Sequence, residues 1–214
     1  MNGKWLVKLR RWFLMTRYGF WVPPYDGMMN EARCRFLYDM AICYQGQKND
    51  VVEIGVFKGS STTWLAMGAR RSGFRRLIAV DLFTGTPQWG ESWDTYEEFM
   101  TRMRRNGLEK FIRVERGDSK EVSRRLGKDV RISILHIDGD HSYEGARADV
   151  DHYVSFLDEG GIIILDDHDP VHPGVIRVVE ELKAEGFCEV ARVLPVPEHG
   201  GGSIALKKVN VFSA

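Results

Sequence analysis

Val51-Val52-Glu53-Ile54-Gly55-Val56-Phe57-Lys58-Gly59-Ser60-Ser61 passes from strand formers, through two glycines, into a segment with helical spacing. Gly55 and Gly59 permit a tight turn and a close approach of backbone to a ligand. Ser60 or Ser61 is placed to cap the following helix, whose free N–H groups suit an anionic group. The spacing is G-x-x-x-G, not the dinucleotide pattern G-x-G-x-x-G. Alone, it serves a plain strand–helix turn equally well.

Working outward, strand-like runs lie at 51–54, 77–80, 111–114, 132–137 and 161–165. Several are continuously apolar, as parallel strands covered on both faces require. Helical spacing follows each, at 60–69, 95–105, 119–126, 143–157 and 175–184. This alternation predicts an α/β doubly wound sheet. Two final runs, 187–194 and 203–209, have no helix between them and predict an antiparallel hairpin. Residues 1–50 read as appended helices, divided at Pro23-Pro24, with 51–214 as the main domain.

The 214 residues are 43% hydrophobic, with 30 lysines plus arginines against 30 carboxylates. That balance gives no general attraction to nucleic acid and favours a small-molecule substrate. Cys34, Cys43 and Cys188 are scattered without metal-type spacing, which fits reduced thiols and a cytoplasmic protein. Trp5, Leu6, Leu9, Trp12 and Phe13 recur at helical spacing among Lys4, Lys8, Arg10, Arg11 and Arg17. The pattern suits a membrane surface, the domain itself or a second subunit. Its shortness and the lack of a lipidation motif favour packing.

Ile78-Ala79-Val80-Asp81 ends the second strand in a carboxylate that can accept ribose hydroxyls. With the stretch from Glu53 to Gly59, it makes the chain resemble the class I S-adenosylmethionine-dependent methyltransferases. The likeness is to their small metal-dependent branch, which acts on catechols, caffeoyl-coenzyme A and macrolide sugars. It implies a Rossmann-like sheet of seven strands, order 3-2-1-4-5-7-6, with the last strand antiparallel. It also implies that Glu53, Gly55, Phe57, Gly59 and Ser61 surround the methionine part of the cofactor and Asp81 its ribose. Gly117, Asp118 and Ser119 then lie by the adenine.

Asp138 ends the fourth strand, and Asp166-Asp167 end the fifth. In a doubly wound sheet these ends share one edge with Gly55. Carboxylates gathered there repel unless a cation neutralises them, and oxygen ligands suit Mg2+ or another hard divalent ion such as Mn2+. Acids capping helices at loop mouths are the alternative. The resemblance assigns Asp138, Asp166 and Asp167 to the metal, with Asp140 and Asp169 less securely matched. His141, three residues after Asp138, stands where relatives carry a lysine or histidine base.

His136 and Asp138 share a strand face as H-x-D. With His168, His172 or His199 they would form the facial triad of an iron oxygenase. A histidine packed inside the strand is the simpler reading, since the triad leaves the glycine loop and Asp81 without a task. An inactive scaffold is the third possibility, and the intact acidic set argues against it. Trp89, Trp93 and Tyr96, after Pro87, are candidates for a substrate wall or for core packing. The expected reaction is therefore methyl transfer to a hydroxyl of a small molecule or sugar, a vicinal diol by preference. Asp138 and His141 carry the chemistry, and the protein is open to homo-oligomer formation.

Overall fold

The computed structural model describes residues 3–22, 29–84, 93–195 and 201–209. Two helices, α1 (Gly3–Tyr18) and α2 (Glu31–Cys43), precede β1 (Asp50–Ile54). Then α3 (Ser60–Arg71), β2 (Arg76–Asp81), α4 (Tyr96–Arg105), β3 (Ile112–Arg116) and α5 (Ser119–Arg125) alternate. They are followed by β4 (Ile132–Ile137), α6 (Tyr143–Tyr153), β5 (Leu157–Asp166), α7 (Pro173–Ala184), β6 (Cys188–Leu194) and β7 (Ser203–Lys208). The seven strands form one sheet in the order β3-β2-β1-β4-β5-β7-β6. β7 is antiparallel to both its neighbours, and β1–β5 are parallel. This is the expected order and hairpin.

Successive residues of a strand face opposite sides of a sheet, and each side has its own core. Val51, Leu77, Ala79, Ile134 and Ile164 pack with Leu37 of α2, Trp64 of α3 and Phe99 of α4. Val52, Ile78, Leu135 and Ile163 pack with Val122 of α5, Val150 of α6 and Val179 of α7. Strands covered on both faces are apolar at most positions, which is why these runs do not alternate.

Two boundaries depart from the sequence reading. The helix expected over 143–157 stops at Tyr153, a 3-10 turn spans Val154–Phe156, and Leu157 already pairs with Ile132. The fifth strand, expected over 161–165, begins at Leu157, and Asp158-Glu159-Gly160-Gly161 bulge out of it, shifting the register so that Ile134 meets Ile162. Gly160, at φ 72°, supplies the conformation that the bulge needs.

The appended helices share the first core. Cys34, Phe36, Leu37, Met40 and Ala41 of α2 lie in the same buried cluster as Trp64 and Ile164. The end of α1 is held by an aromatic group in which Tyr18, Phe20 and Tyr38 surround Trp64, with centroids 4.8, 5.0 and 6.2 Å from it. Helices α2 and α3 approach so closely that a Cβ on Gly68 would lie 2.7 Å from the Tyr38 carbonyl oxygen.

Candidate active site

The carboxyl ends of the parallel strands form one edge, and backbone hydrogen bonds lock their exits together. Gly55 donates to the Val80 carbonyl, Gly117 to that of Asp81, and Asp138 to that of Ile54, each at 2.9 Å. Among the described residues, the non-glycine residues with positive φ are Phe57 (45°), Phe83 (57°) and Asp167 (53°). They follow β1, β2 and β5, so the strained backbone is collected on this edge, as at ligand sites.

Gly55 has φ 82°, and a Cβ there would lie 2.1 Å from the Asp138 carbonyl oxygen. Glycine is thus required by the neighbouring strand exit, before any ligand is considered. A Gly55→Val variant is expected to lose about 1–3 kcal/mol or more by overpacking. Urea denaturation measures this, and an unchanged midpoint would remove the constraint. Gly59 is equally confined: its added Cβ would lie 2.8 Å from the Phe99 ring.

The expected serine cap is absent. Gly59 is the N-cap of α3 with no side-chain bond. Ser60 Oγ instead accepts from Arg102 Nη1 at 2.6 Å, and Ser61 is 3% exposed. The Asp81 carboxylate organises the loop. Its Oδ2 accepts from the N–H groups of Val56 and Phe57, both at 2.8 Å, and Oδ1 from that of Phe83 at 2.6 Å. A carboxylate has about four acceptor positions, so hydroxyls can still bind.

Asp118, exposed beside Gly117, caps α5 by accepting from the N–H groups of Lys120 and Glu121. Ser119 Oγ donates to Asp149 Oδ1 at 2.5 Å, and burial pushes the Asp149 carboxyl up to about 6. On the other side of the loop, the Phe57 and Trp93 rings meet edge-on at 6.3 Å. Tyr96 packs against buried Phe83, so it belongs to the core, whereas Trp93 is 38% exposed. Pro87 and Trp89 lie outside the described residues.

Glu53, His136 and Asp166 stand on three adjacent strands, all buried, on the face that α2 covers. His136 Nδ1 lies 3.2 Å from Glu53 Oε1, and its Nε2 is 3.8 Å from Asp166 Oδ2. Burial opposes protonation of His136, but Asp166 and Glu53 outweigh it and lift the ring to about 10. His136 is therefore a packed, ion-paired strand residue. Among the described residues, the groups of three whose ligand atoms all lie within 4.8 Å of one another are His136–Asp138–Asp166 and His141–Asp167–His172. Neither adds a second histidine to the H-x-D pair. His199 lies outside the described residues.

The sequence reading missed Arg33. Asn30 caps α2 by accepting from the Arg33 N–H, which sets the first helical turn at the sheet edge. From there Arg33 Nε reaches both oxygens of Asp166, at 2.9 and 3.0 Å. Its Nη2 lies 3.2 Å from Asp167 Oδ1 and 3.6 Å from Asp138 Oδ1. Burial disfavours the guanidinium charge, but Asp166, Asp138 and Asp167 more than restore it. Part of the neutralisation assigned to a metal is thus built into the chain. Ser203 also donates to Asp166, whose carboxyl is held well below the usual range: His136 and Arg33 outweigh its burial.

Asp138 and Asp167 remain nearer the mouth, with side chains 14% and 13% exposed against 1% for Asp166. His141 stands between them: Nδ1 is 3.1 Å from Asp167 Oδ2 and Nε2 3.5 Å from Asp138 Oδ1. Nε2 is buried and makes no hydrogen bond. Burial and the charge of Asp166 push the Asp138 carboxyl up. His172 closes on His141 edge-on, centroids 5.0 Å apart. Asp169 ties the loop down, accepting from the N–H groups of Val171, His172 and Gly201, and Asp140 accepts from that of Ser142. Four carboxyl groups thus face two buried cations, Arg33 and His136. The oxygen donors of Asp138 and Asp167, the two acids nearest the mouth, suit a hard divalent cation there, with His141 beside them.

The fold recurs in solved structures. An O-methyltransferase from Bacillus cereus, solved with SAH, is 21% identical, with TM-score 0.66 over 94% of this chain and 90% of that one. The O-methyltransferase TomG from Streptomyces achromogenes, involved in tomaymycin synthesis and solved with SAM, is 18% identical. Its TM-score is 0.64 over 84% of this chain and 81% of that one. CalS11, a TDP-rhamnose 3'-O-methyltransferase of calicheamicin biosynthesis, is 20% identical, with TM-score 0.58 over 81% and 76% of the two chains. Residues 52–168, from β1 past the acidic end of β5, match the family described as "Methyltransferase domain". That match spans more than half of the sequence, and the chain belongs to this methyltransferase family.

Proposed function

We propose that the protein is an S-adenosylmethionine-dependent O-methyltransferase assisted by a divalent cation, Mg2+ or Mn2+. One observation carries the reading: the strained glycine loop held by Asp81 opens on the same edge as Asp138, His141 and Asp167. The cofactor lies along that loop, with Asp81 toward the ribose and Asp118 and Ser119 toward the adenine. Asp138 and Asp167 hold the cation at the mouth, while Asp166 holds Arg33 beneath them. A bound cation orients two neighbouring acceptor oxygens and lowers the pKa of the hydroxyl.

The residues around it do the rest. His141 takes the acceptor proton at its unbonded Nε2. Burial lowers its basicity, but Asp138 and Asp167 more than restore it, which suits a general base. The rigid strand exits hold methyl donor and acceptor oxygen in line, and positioning of that kind supplies much of the acceleration. Phe57 and Trp93 wall the acceptor side. A vicinal diol of a sugar would offer such a cation two neighbouring oxygens, and the likeness to the TDP-rhamnose enzyme favours a sugar acceptor.

Asp81→Ala is expected to weaken S-adenosylmethionine binding by about 1–3 kcal/mol, the range for losing a buried hydrogen-bond partner. Titration calorimetry measures it. Affinity equal to wild type would remove the cofactor from this loop. A screen of diol acceptors with methyl-labelled donor, with and without chelator, tests the reaction. Full turnover in excess chelator would remove the cation from the mechanism.

A further inference from the structure

Among its described side chains, helix α1 packs on the domain through one face. Leu14 and Tyr18 are 3% and 9% exposed, and Arg11 donates to the Val22 carbonyl. The opposite face presents Leu9, Trp12 and Phe13, which are 47%, 62% and 56% exposed. Thr16 and Arg17 are exposed beside them. In sequence, Trp5 and Leu6 continue the same spacing one turn earlier. Packing, the expectation for this segment, thus accounts for one face and leaves an aromatic stripe in water.

Charge identifies what covers the stripe. Residues 1–25 contain Lys4, Lys8, Arg10, Arg11 and Arg17 and no aspartate or glutamate. Of these, Arg17 is exposed beside the stripe. A second copy meeting this face about a two-fold axis would set cations against cations. An anionic bilayer would receive the aromatics at the depth of its headgroups and pair the flanking cations with lipid phosphates. Among the described residues no helix is long and apolar enough to cross a membrane, so the contact is with the surface.

We infer that α1 is a membrane-surface helix that docks the enzyme on anionic lipid through Leu9, Trp12 and Phe13. The inference is independent of the methyl-transfer reading. The test is co-sedimentation of the whole chain with phosphatidylcholine vesicles, with and without phosphatidylglycerol. Binding is expected with phosphatidylglycerol, weakening as salt rises. Trp12→Glu with Phe13→Glu should reduce it more than tenfold. Both side chains are exposed, so the variant should keep the wild-type melting temperature. Arg17→Gln should reduce partitioning about fivefold, the share of one cation at an anionic surface. Absence of binding to phosphatidylglycerol vesicles would overturn the inference. So would light scattering showing a dimer that the Trp12/Phe13 variant dissociates, since the face would then belong to a second copy.

Discussion

An Arg33→Met variant is expected to lose about 3–5 kcal/mol of folding stability, the cost of leaving buried charge without its partner. That is a large part of the about 5–15 kcal/mol that holds a domain together. The guanidinium touches Asp166 through two nitrogens and reaches Asp167 and Asp138, so its loss leaves three carboxyl groups facing one another. Methionine fills similar volume, which separates charge from packing. Adding Asp166→Asn should restore most of the loss, because the buried charge leaves with its partner. Guanidinium denaturation of the two variants and wild type measures both. An unchanged single variant would show that water reaches the acids and that Arg33 is dispensable.

Turnover in a His141→Ala variant is expected to fall about a hundredfold to ten-thousandfold, as when other general bases are removed. His141 is the imidazole at the mouth between Asp138 and Asp167, and its side chain is 28% exposed, so folding should change little. S-adenosylmethionine affinity should stay near wild type, because none of the loop contacts involves His141. Single-turnover rates with methyl-labelled donor, alongside calorimetry, separate chemistry from binding. A wild-type rate would transfer the base to another group, with His172 next to it the first to examine.

Much of this edge is legible without coordinates. Gly55, Asp81, Asp138 and Asp166 each follow or end an apolar strand, Gly117 follows the more polar β3, and parallel strands bring such ends to one edge. What each residue does there is less legible. Gly55 reads as space for a ligand, yet the Asp138 carbonyl already demands it. Ser60 reads as a cap, yet Arg102, 42 residues away, takes its hydroxyl. Asp166 and Asp167 read as equal ligands, yet they differ in burial because one faces α2 and the other turns out through a left-handed backbone.

The sequence by itself determined the strand and helix order, the paired glycines, the acidic strand ends and the terminal hairpin. These signals are local: a side-chain period of two or 3.6 residues, or a turn residue at a fixed offset, needs no distant partner to be read. Only the tertiary structure decided how the acids are neutralised. Arg33 lies 133 residues from Asp166, on a helix whose other arginine, Arg35, has a side chain 41% exposed. Its burial follows from the docking of α2 against α3 and the sheet. The free energy of a buried charge depends on the groups packed around it, which the order of residues along the chain does not disclose.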